Sequence, residues 1–145
     1  MPLLPNQLTQ ESWLPLLSSK DISVLMRYFG GFSDSIVVTY ECRGDTHVDD
    51  ESYIVYPMGG PQADQSIIIT FQRQSAEKFS VQLLLKGVIE FSMRGRSENF
   101  DGIINAVTVE TSSSTNCNLV ARPSIDGPAI IASRAATICW RPTPA

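Results

Sequence analysis

The sequence is poor in histidine and cysteine and has none of the short motifs of common catalytic or cofactor-binding sites. It contains one histidine, His47, and three widely spaced cysteines, Cys42, Cys117 and Cys139, without a CxxC pair. An odd number of unpaired cysteines indicates neither a disulfide framework nor a zinc knuckle, and it favours a reducing compartment. There is no GxSxG elbow, P-loop or GxGxxG stretch. We therefore predict no cofactor and no covalent nucleophile.

Long apolar runs are also missing. None approaches the length needed to cross a bilayer. Residues 1–15 contain three prolines and have neither a basic start nor a sustained apolar centre, which is unlike a secretory signal. We expect a cytoplasmic protein that does not bind membranes. A chain of 145 residues, 43% of them hydrophobic, is of a size for one core, so we predict a single domain over residues 1–145.

The charge is moderately acidic and unevenly distributed. Fifteen acidic and eleven basic residues give a formal net charge of −4, which argues against non-specific binding to nucleic acid. Residues 1–72 hold nine acids and three bases, whereas residues 73–145 hold six acids and eight bases. The first half therefore offers an acidic surface to a basic partner. Acidity that only keeps a small domain in solution is the favoured interpretation, and a partner surface is the alternative.

The clearest structural pattern is the stretch from Val81 to Arg94. Apolar residues recur along it with period two, which predicts a strand with one face in a core; they are Val81, Leu83, Leu85, Ile89, Phe91 and Met93. Gly87 interrupts the middle of this strand. A glycine there predicts a bulge or bend.

The rest of the pattern predicts one helix and several strands. A helix is predicted over residues 19–29, because a serine cap precedes apolar residues at helical spacing and two glycines follow. Strands are predicted over 34–43, 53–58, 66–73 and 103–110. The first two are predicted to form a hairpin around an acidic turn. Residues 111–118 are predicted to form a loop. Short apolar pieces beyond residue 118 are predicted to be edge strands or a covering segment.

These elements predict an α+β fold. We expect a mainly antiparallel, twisted sheet of six or seven strands with the N-terminal amphipathic helix packed on one face. A two-sheet β-sandwich is the alternative.

The acidic turn contains the strongest cluster of candidate ligands. His47 lies within Asp45 to Glu51, a local set of oxygen and nitrogen donors. The set comes from one turn and lacks both a second histidine and the calcium-loop spacing, so a solvated turn is favoured over a metal site.

Three strings carry a resemblance to a known group of proteins: FGGFSDSI (29–36), FQRQ (71–74) and ENFDGII (98–104). Together they resemble small bacterial proteins in which a Gly-Phe-His-Asp stretch opens the first strand, among them immunity partners of polymorphic toxins. The resemblance covers about residues 22–110 and implies a compact cytoplasmic domain that binds and blocks a cognate toxin. It implies no catalytic residue, and this chain has Ser33 where the group has histidine.

We therefore predict a non-enzymatic, immunity-type inhibitor that meets a basic toxin surface. The predicted partner-binding residues are Asp45, Asp49, Asp50, Glu51, Tyr53 and Tyr56. Charge complementarity would speed association, and the tyrosines would supply buried contact area. The alternative is a small hydrolase or metal-dependent enzyme that uses His47 and nearby carboxylates. A third possibility is a subunit that self-associates through an uncovered sheet edge.

Overall fold

The structure is a computed structural model that describes residues 13–56, 65–74, 80–97, 100–113, 116–124 and 127–143. Within these ranges the chain forms nine strands and one α-helix. The helix is α1 (Ser19–Tyr28), and a short 3-10 turn follows it at Gly30–Phe32. The strands are β1 (Leu14–Pro15), β2 (Ser35–Gly44), β3 (His47–Val48), β4 (Ile54–Val55), β5 (Gln65–Arg73), β6 (Ser80–Met93), β7 (Ile104–Ser113), β8 (Asn116–Pro123) and β9 (Ile131–Thr143).

The helix forms where the serine cap predicted it. Ser18 is the N-cap, and its side-chain oxygen accepts a hydrogen bond from the backbone N–H of Asp21 at 3.4 Å. Asp21 in turn accepts from the N–H of Leu17 at 2.9 Å, so two donors at the helix start are satisfied. One face of the helix buries Leu25 and Tyr28.

Seven strands form one large antiparallel sheet, in the order β1-β9-β6-β5-β2-β7-β8, and β8 also pairs with β9. Followed from strand to strand, the pairings therefore run from β9 through β6, β5, β2, β7 and β8 and return to β9. The contact that completes this circuit is a single residue pair between β2 and β7, Ser35 with Ile104. The α+β prediction, with a large antiparallel sheet and a helix packed on it, is confirmed.

Gly87 marks an irregularity in the long strand β6, as the sequence predicted. It has φ +64°, and the register with β9 shifts between Val88 and Glu90. Such a bulge increases the local twist of the strand pair. Ile89, which the alternation predicted to face the core, lies at this shift and is 57% exposed, so the prediction is wrong at this position.

The long strand β9 buries a different face in each of its halves. Its first half buries Ile131 and Ala135, and its second half buries Ile138 and Trp140. Since alternate residues point to opposite faces, the two halves bury opposite faces of one strand. The first half pairs with β8 and the second half with β1, so each half joins a different part of the sheet.

The core lies between the sheet and the helical segment. Tyr28 of α1 packs on Trp140 with ring centroids 5.5 Å apart. Phe32 meets Phe71 of β5 edge-on, with ring centroids 5.1 Å apart. Leu16, just after β1, is also buried. Aromatic pairs of this kind contribute about 0.5–1.5 kcal/mol each beyond the area that they bury.

Three predictions about the strands are wrong. Residues 34–43 do not form a hairpin with 53–58. Instead, β2 pairs along its length with β5, which offers nine residues with a buried apolar face. By contrast, β4 has two residues and pairs with β3. Residues 57 and 58 lie outside the described residues. Residues 111–113 and 116–118 of the predicted loop are strand, and residues 114 and 115 lie outside the described residues. The pieces beyond residue 118 form the long strands β8 and β9. β9 is not an edge strand, since it lies between β6 and β8.

Candidate functional site

A small hairpin follows β2 and pairs only within itself among the described residues. We call residues 45–56 the acidic hairpin. Its strands β3 and β4 pair His47 with Val55 and Val48 with Ile54. Oδ1 of Asp49 accepts hydrogen bonds from the backbone N–H groups of Glu51 and Tyr53, both at 2.9 Å. Asp49 therefore fixes the turn between the two strands.

The six predicted partner-binding residues all lie on the acidic hairpin, and all six are exposed. Asp50 and Glu51 lie at its turn. The Asp45 carboxylate is 3.5 Å from Nε of Arg43, in a pair that solvent reaches on both sides. An exposed pair of this kind stabilises the fold little.

Sequence analysis identified the exposed tyrosines of the hairpin but missed two apolar residues beside them. Val48 and Ile54 are 64% and 59% exposed, and Tyr53 and Tyr56 are 66% and 69% exposed. Val48 and Ile54 are direct cross-strand partners, so their side chains lie on the same face of the hairpin. The sequence signal that could have identified this apolar pair is the presence of two aliphatic residues within an otherwise acidic stretch.

The arrangement of the acidic hairpin suits protein recognition. Protein interfaces commonly have an apolar or aromatic centre surrounded by polar groups. On the acidic hairpin the exposed apolar pair and the two exposed tyrosines are side chains of the first kind, and Asp50 and Glu51 lie at the turn between its strands.

His47 lies at the edge of the same hairpin and is exposed. Its Nδ1 is 3.0 Å from the backbone oxygen of Asp45. Across the part of the chain that the structure describes, no three His, Cys, Asp or Glu side chains are grouped to hold a metal ion. The metal-dependent alternative therefore finds no ligand set around His47 in these residues.

A concave polar surface on β6, β7, β8 and β9 is a second candidate site. A cavity of about 480 Å³ is lined by side chains that include Glu90, Glu110, Asn118, Arg122 and Arg134. Nη2 of Arg134 donates to Oε1 of Glu90 at 2.9 Å. Two carboxylates and two guanidinium groups give this surface no preference for an anion or a cation. Sequence analysis missed it because β8 and β9 were not predicted as long strands.

The three segments that carry the family resemblance meet in space. The backbone N–H of Asp34 donates to the carbonyl of Ile104 at 3.0 Å, and the N–H of Gln74 donates to the carbonyl of Asp34 at 2.8 Å. Nε of Arg73 donates to the carbonyl of Ser33 at 3.2 Å. Residues 98 and 99 of the third string lie outside the described residues. We call residues 30–35, 73–74 and 104 the joint.

The backbone of the joint is strained. Gly30, Gly31 and Phe32 have φ values of +61°, +68° and +67°, and Asp34 has +59°. Left-handed backbone is unfavourable for Phe and tolerated by Asp. The conformation is held by packing of the fully buried Phe32 side chain and by Ser35, whose Oγ donates to the Phe32 carbonyl at 2.6 Å.

The role of the joint in the fold follows from its contacts. It connects β2, β5 and β7 at the one pair that joins β2 to β7. The contact between Ser33 and Arg73 uses the Ser33 carbonyl, which any residue type can supply. The joint positions β2, and β2 leads directly into the acidic hairpin.

The pKa shifts do not indicate an activated nucleophile. Burial raises the pKa of the Cys117 thiol, which a backbone hydrogen bond from Ile138 partly offsets. Burial also raises the pKa of Cys139, against a smaller lowering by Lys86. A nucleophilic cysteine needs a lowered pKa, so these two thiols have the opposite character. Burial likewise raises the pKa of Tyr28.

Comparison with known proteins gives no family for this chain. No family model matches it, and no curated protein or solved structure does so either. The described residues contain one α-helix, α1. None of their helices is long and apolar enough to span a membrane. The function therefore has to be inferred from the residues and their geometry.

Proposed function

We propose that the protein is a non-enzymatic binding protein of the immunity type, which binds and neutralises a cognate bacterial toxin in the cytoplasm through the acidic hairpin. The observation that carries the proposal is the exposure of four large apolar or aromatic side chains on that hairpin, Val48, Tyr53, Ile54 and Tyr56. Side chains of this kind, when grouped on a surface, are typical of sites that bind another protein.

The charge on the hairpin indicates the kind of partner. Asp50 and Glu51 lie exposed next to the apolar side chains, and neither accepts one of the two backbone hydrogen bonds that fix the turn. They can therefore attract a basic surface without any change in the hairpin. Charges at an interface rim act mainly on the rate of association, whereas buried apolar contacts slow dissociation.

The joint supports the proposal as a scaffold. It fixes the start of β2 through three hydrogen bonds to two other strands, and the acidic hairpin follows the end of β2 directly. A rigid support lowers the entropy that a binding site loses on association.

The first experiment is affinity capture with the tagged protein from its native cells, at low and at high salt, with identification by mass spectrometry. We expect one stoichiometric toxin-like protein whose capture weakens at high salt. The captured toxin is then expressed in a test strain together with the protein, and growth is measured. Wild-type protein should restore growth.

The variant Asp50→Lys/Glu51→Lys tests the acidic hairpin in the same growth assay. Asp49 is left unchanged because it fixes the turn. The matched control is Glu110→Lys, which makes the same charge change on the concave polar surface as Glu51→Lys alone makes on the hairpin and leaves the ion pair between Glu90 and Arg134 intact. We expect the hairpin variant to lose protection and the control to keep it. Equal protection by both variants at all salt concentrations would contradict the proposal.

A further inference from the structure

Strand β2 has one open edge. It pairs with β5 from Ser35 to Gly44, whereas its other edge meets β7 only at Ser35. No strand in the described residues pairs with that edge beyond Ser35. The residues from Val38 to Gly44 are exposed. An exposed strand edge presents unpaired N–H and C=O groups that can pair with another chain.

The sequence at this edge is complementary to itself. In an antiparallel pair of two copies with the two-fold axis at Cys42, each Glu41 lies opposite the partner's Arg43. Cys42 then lies opposite Cys42 of the partner, and Tyr40 lies opposite Gly44. Opposite charges on directly opposed residues stabilise a strand pair. The Tyr40 ring lies 6.1 Å from the Phe91 ring of its own chain, so the charged pairs carry the complementarity.

The complementarity depends on this register. An axis at Tyr40 would instead place Glu41 opposite Thr39 and Arg43 opposite Val37, so neither charge would have a counterion. With the axis at Cys42, two symmetry-related ion pairs form at once. Arg43 is 81% exposed in its present pair with Asp45, so it can turn towards a second carboxylate at little loss.

We propose that two copies of this chain associate through the open edge of β2, by antiparallel pairing of Tyr40–Gly44 about a two-fold axis at Cys42. The contact is isologous and closes on itself, as in most symmetric dimers. It extends the large sheet of one copy into that of the other. The proposal does not depend on the identity of a toxin, because its occupant is a second copy of the chain.

Charge reversal tests the register. Sedimentation velocity over a range of protein concentrations gives the dimer Kd for wild type, Glu41→Arg, Arg43→Glu and the double variant. Each single variant places like charges opposite each other twice per dimer, so we expect its Kd to rise about tenfold. The double variant exchanges the two charges and should return the Kd to near the wild-type value.

A matched control separates this effect from net charge. Glu110→Arg makes the same charge change as Glu41→Arg on an exposed residue of β7, away from the open edge of β2, and it should leave the Kd unchanged. If the double variant stays as weak as the single variants, the register is wrong. A wild-type protein that remains monomeric at about millimolar concentration overturns the proposal, since weak association would be detected there. Oligomers larger than two would also overturn it, because they would indicate pairing of β2 with a different edge.

Cysteine cross-linking gives an independent measurement. Directly opposed residues of an antiparallel pair have Cα atoms about 4.5–5.5 Å apart, within the range that a disulfide spans. Mild oxidation of the wild type should therefore give a covalent dimer that a reductant reverses. The variant Cys42→Ser should give no covalent dimer. The variant Cys42→Ser/Thr108→Cys places an exposed thiol on β7 and measures how much cross-linking arises from chance collisions. Equal cross-linking through position 108 would contradict the proposal.

Discussion

Replacement of Gly30 by alanine tests how the joint is held together. Gly30 has φ +61°, and a Cβ atom there would overlap the guanidinium group of Arg73. The guanidinium lies at the end of a flexible side chain and can move away. When it moves, Arg73 loses the hydrogen bond that its Nε donates to the carbonyl of Ser33 at 3.2 Å.

The magnitude follows from two contributions. Left-handed backbone costs an alanine about 1–2 kcal/mol. Loss of a hydrogen bond from a charged donor costs about 1.5–3 kcal/mol more. Gly30→Ala should therefore lower the free energy of unfolding by about 2.5–5 kcal/mol.

Gly31→Ala is the matched control. Gly31 has φ +68°, and a Cβ atom added there would have no neighbouring atom within 4 Å, so only the backbone contribution of about 1–2 kcal/mol applies. Urea unfolding followed by circular dichroism measures both variants, and an unchanged m-value shows that midpoints can be compared. In an Arg73→Ala background, Gly30→Ala should cost no more than Gly31→Ala does. Equal destabilisation of both variants in the wild-type background would refute the role assigned to Arg73.

Three further predictions concern the core and the termini. Ser133 is 7% exposed and its Oγ has no hydrogen-bond partner, so Ser133→Ala should raise the free energy of unfolding by about 1 kcal/mol; a loss of stability would show that the hydroxyl is satisfied. Burial raises the pKa of Cys117 and Cys139 above the ordinary 9.0. The contribution of these thiols to the free energy of unfolding should therefore be fully present below pH 9.0. It should be lost as the pH rises through their folded-state pKa values, because the thiols of the unfolded chain lose their protons first. Urea titrations at about pH 8 and about pH 10.5 measure this, and a Cys117→Ala/Cys139→Ala variant should show a smaller fall. Trp140→Ala should cost about 3–5 kcal/mol because the ring is fully buried in the core. Trp13→Ala should cost no more than about 1 kcal/mol, since its contact is a cation–π pair with Arg141 at 4.2 Å; thermal unfolding that shifts equally for both would contradict this.

Local patterns predicted the elements of the first two thirds of the chain well. The serine cap and the apolar spacing located α1, because both act within a few residues. The alternation along β6 and the position of Gly87 were equally local. Elements whose form depends on their immediate neighbours in sequence can be predicted in this way.

Pairing partners and the late strands could not be predicted. β2 lies next to residues 53–58 in sequence, but it pairs with β5, whose buried apolar face is longer. In β9 the buried positions change from odd to even between Ala135 and Ile138, so period-two counting finds only short apolar pieces there. The two halves of β9 have different neighbours, since the first pairs with β8 and Trp140 in the second packs on Tyr28 of α1. A window of a few residues contains no signal of these distant neighbours.

The candidate site was predicted in part. The charges and tyrosines of the acidic hairpin are visible in the sequence, and the structure leaves them exposed. Val48 and Ile54 were missed because an aliphatic residue is ordinarily expected inside. The structural role of Asp49 was missed because it depends on hydrogen bonds within the turn.

Binding kinetics with the captured toxin test the central proposal most directly. Association and dissociation rates are measured over a range of ionic strength for wild type, Asp50→Lys/Glu51→Lys and Val48→Ser/Ile54→Ser. We predict that the charge variant slows association and loses its salt dependence, because exposed carboxylates steer a basic partner. The apolar variant should speed dissociation at every salt concentration, because it removes side chains from the centre of the interface. Wild-type rates for both variants would contradict the assignment of the acidic hairpin as the binding site.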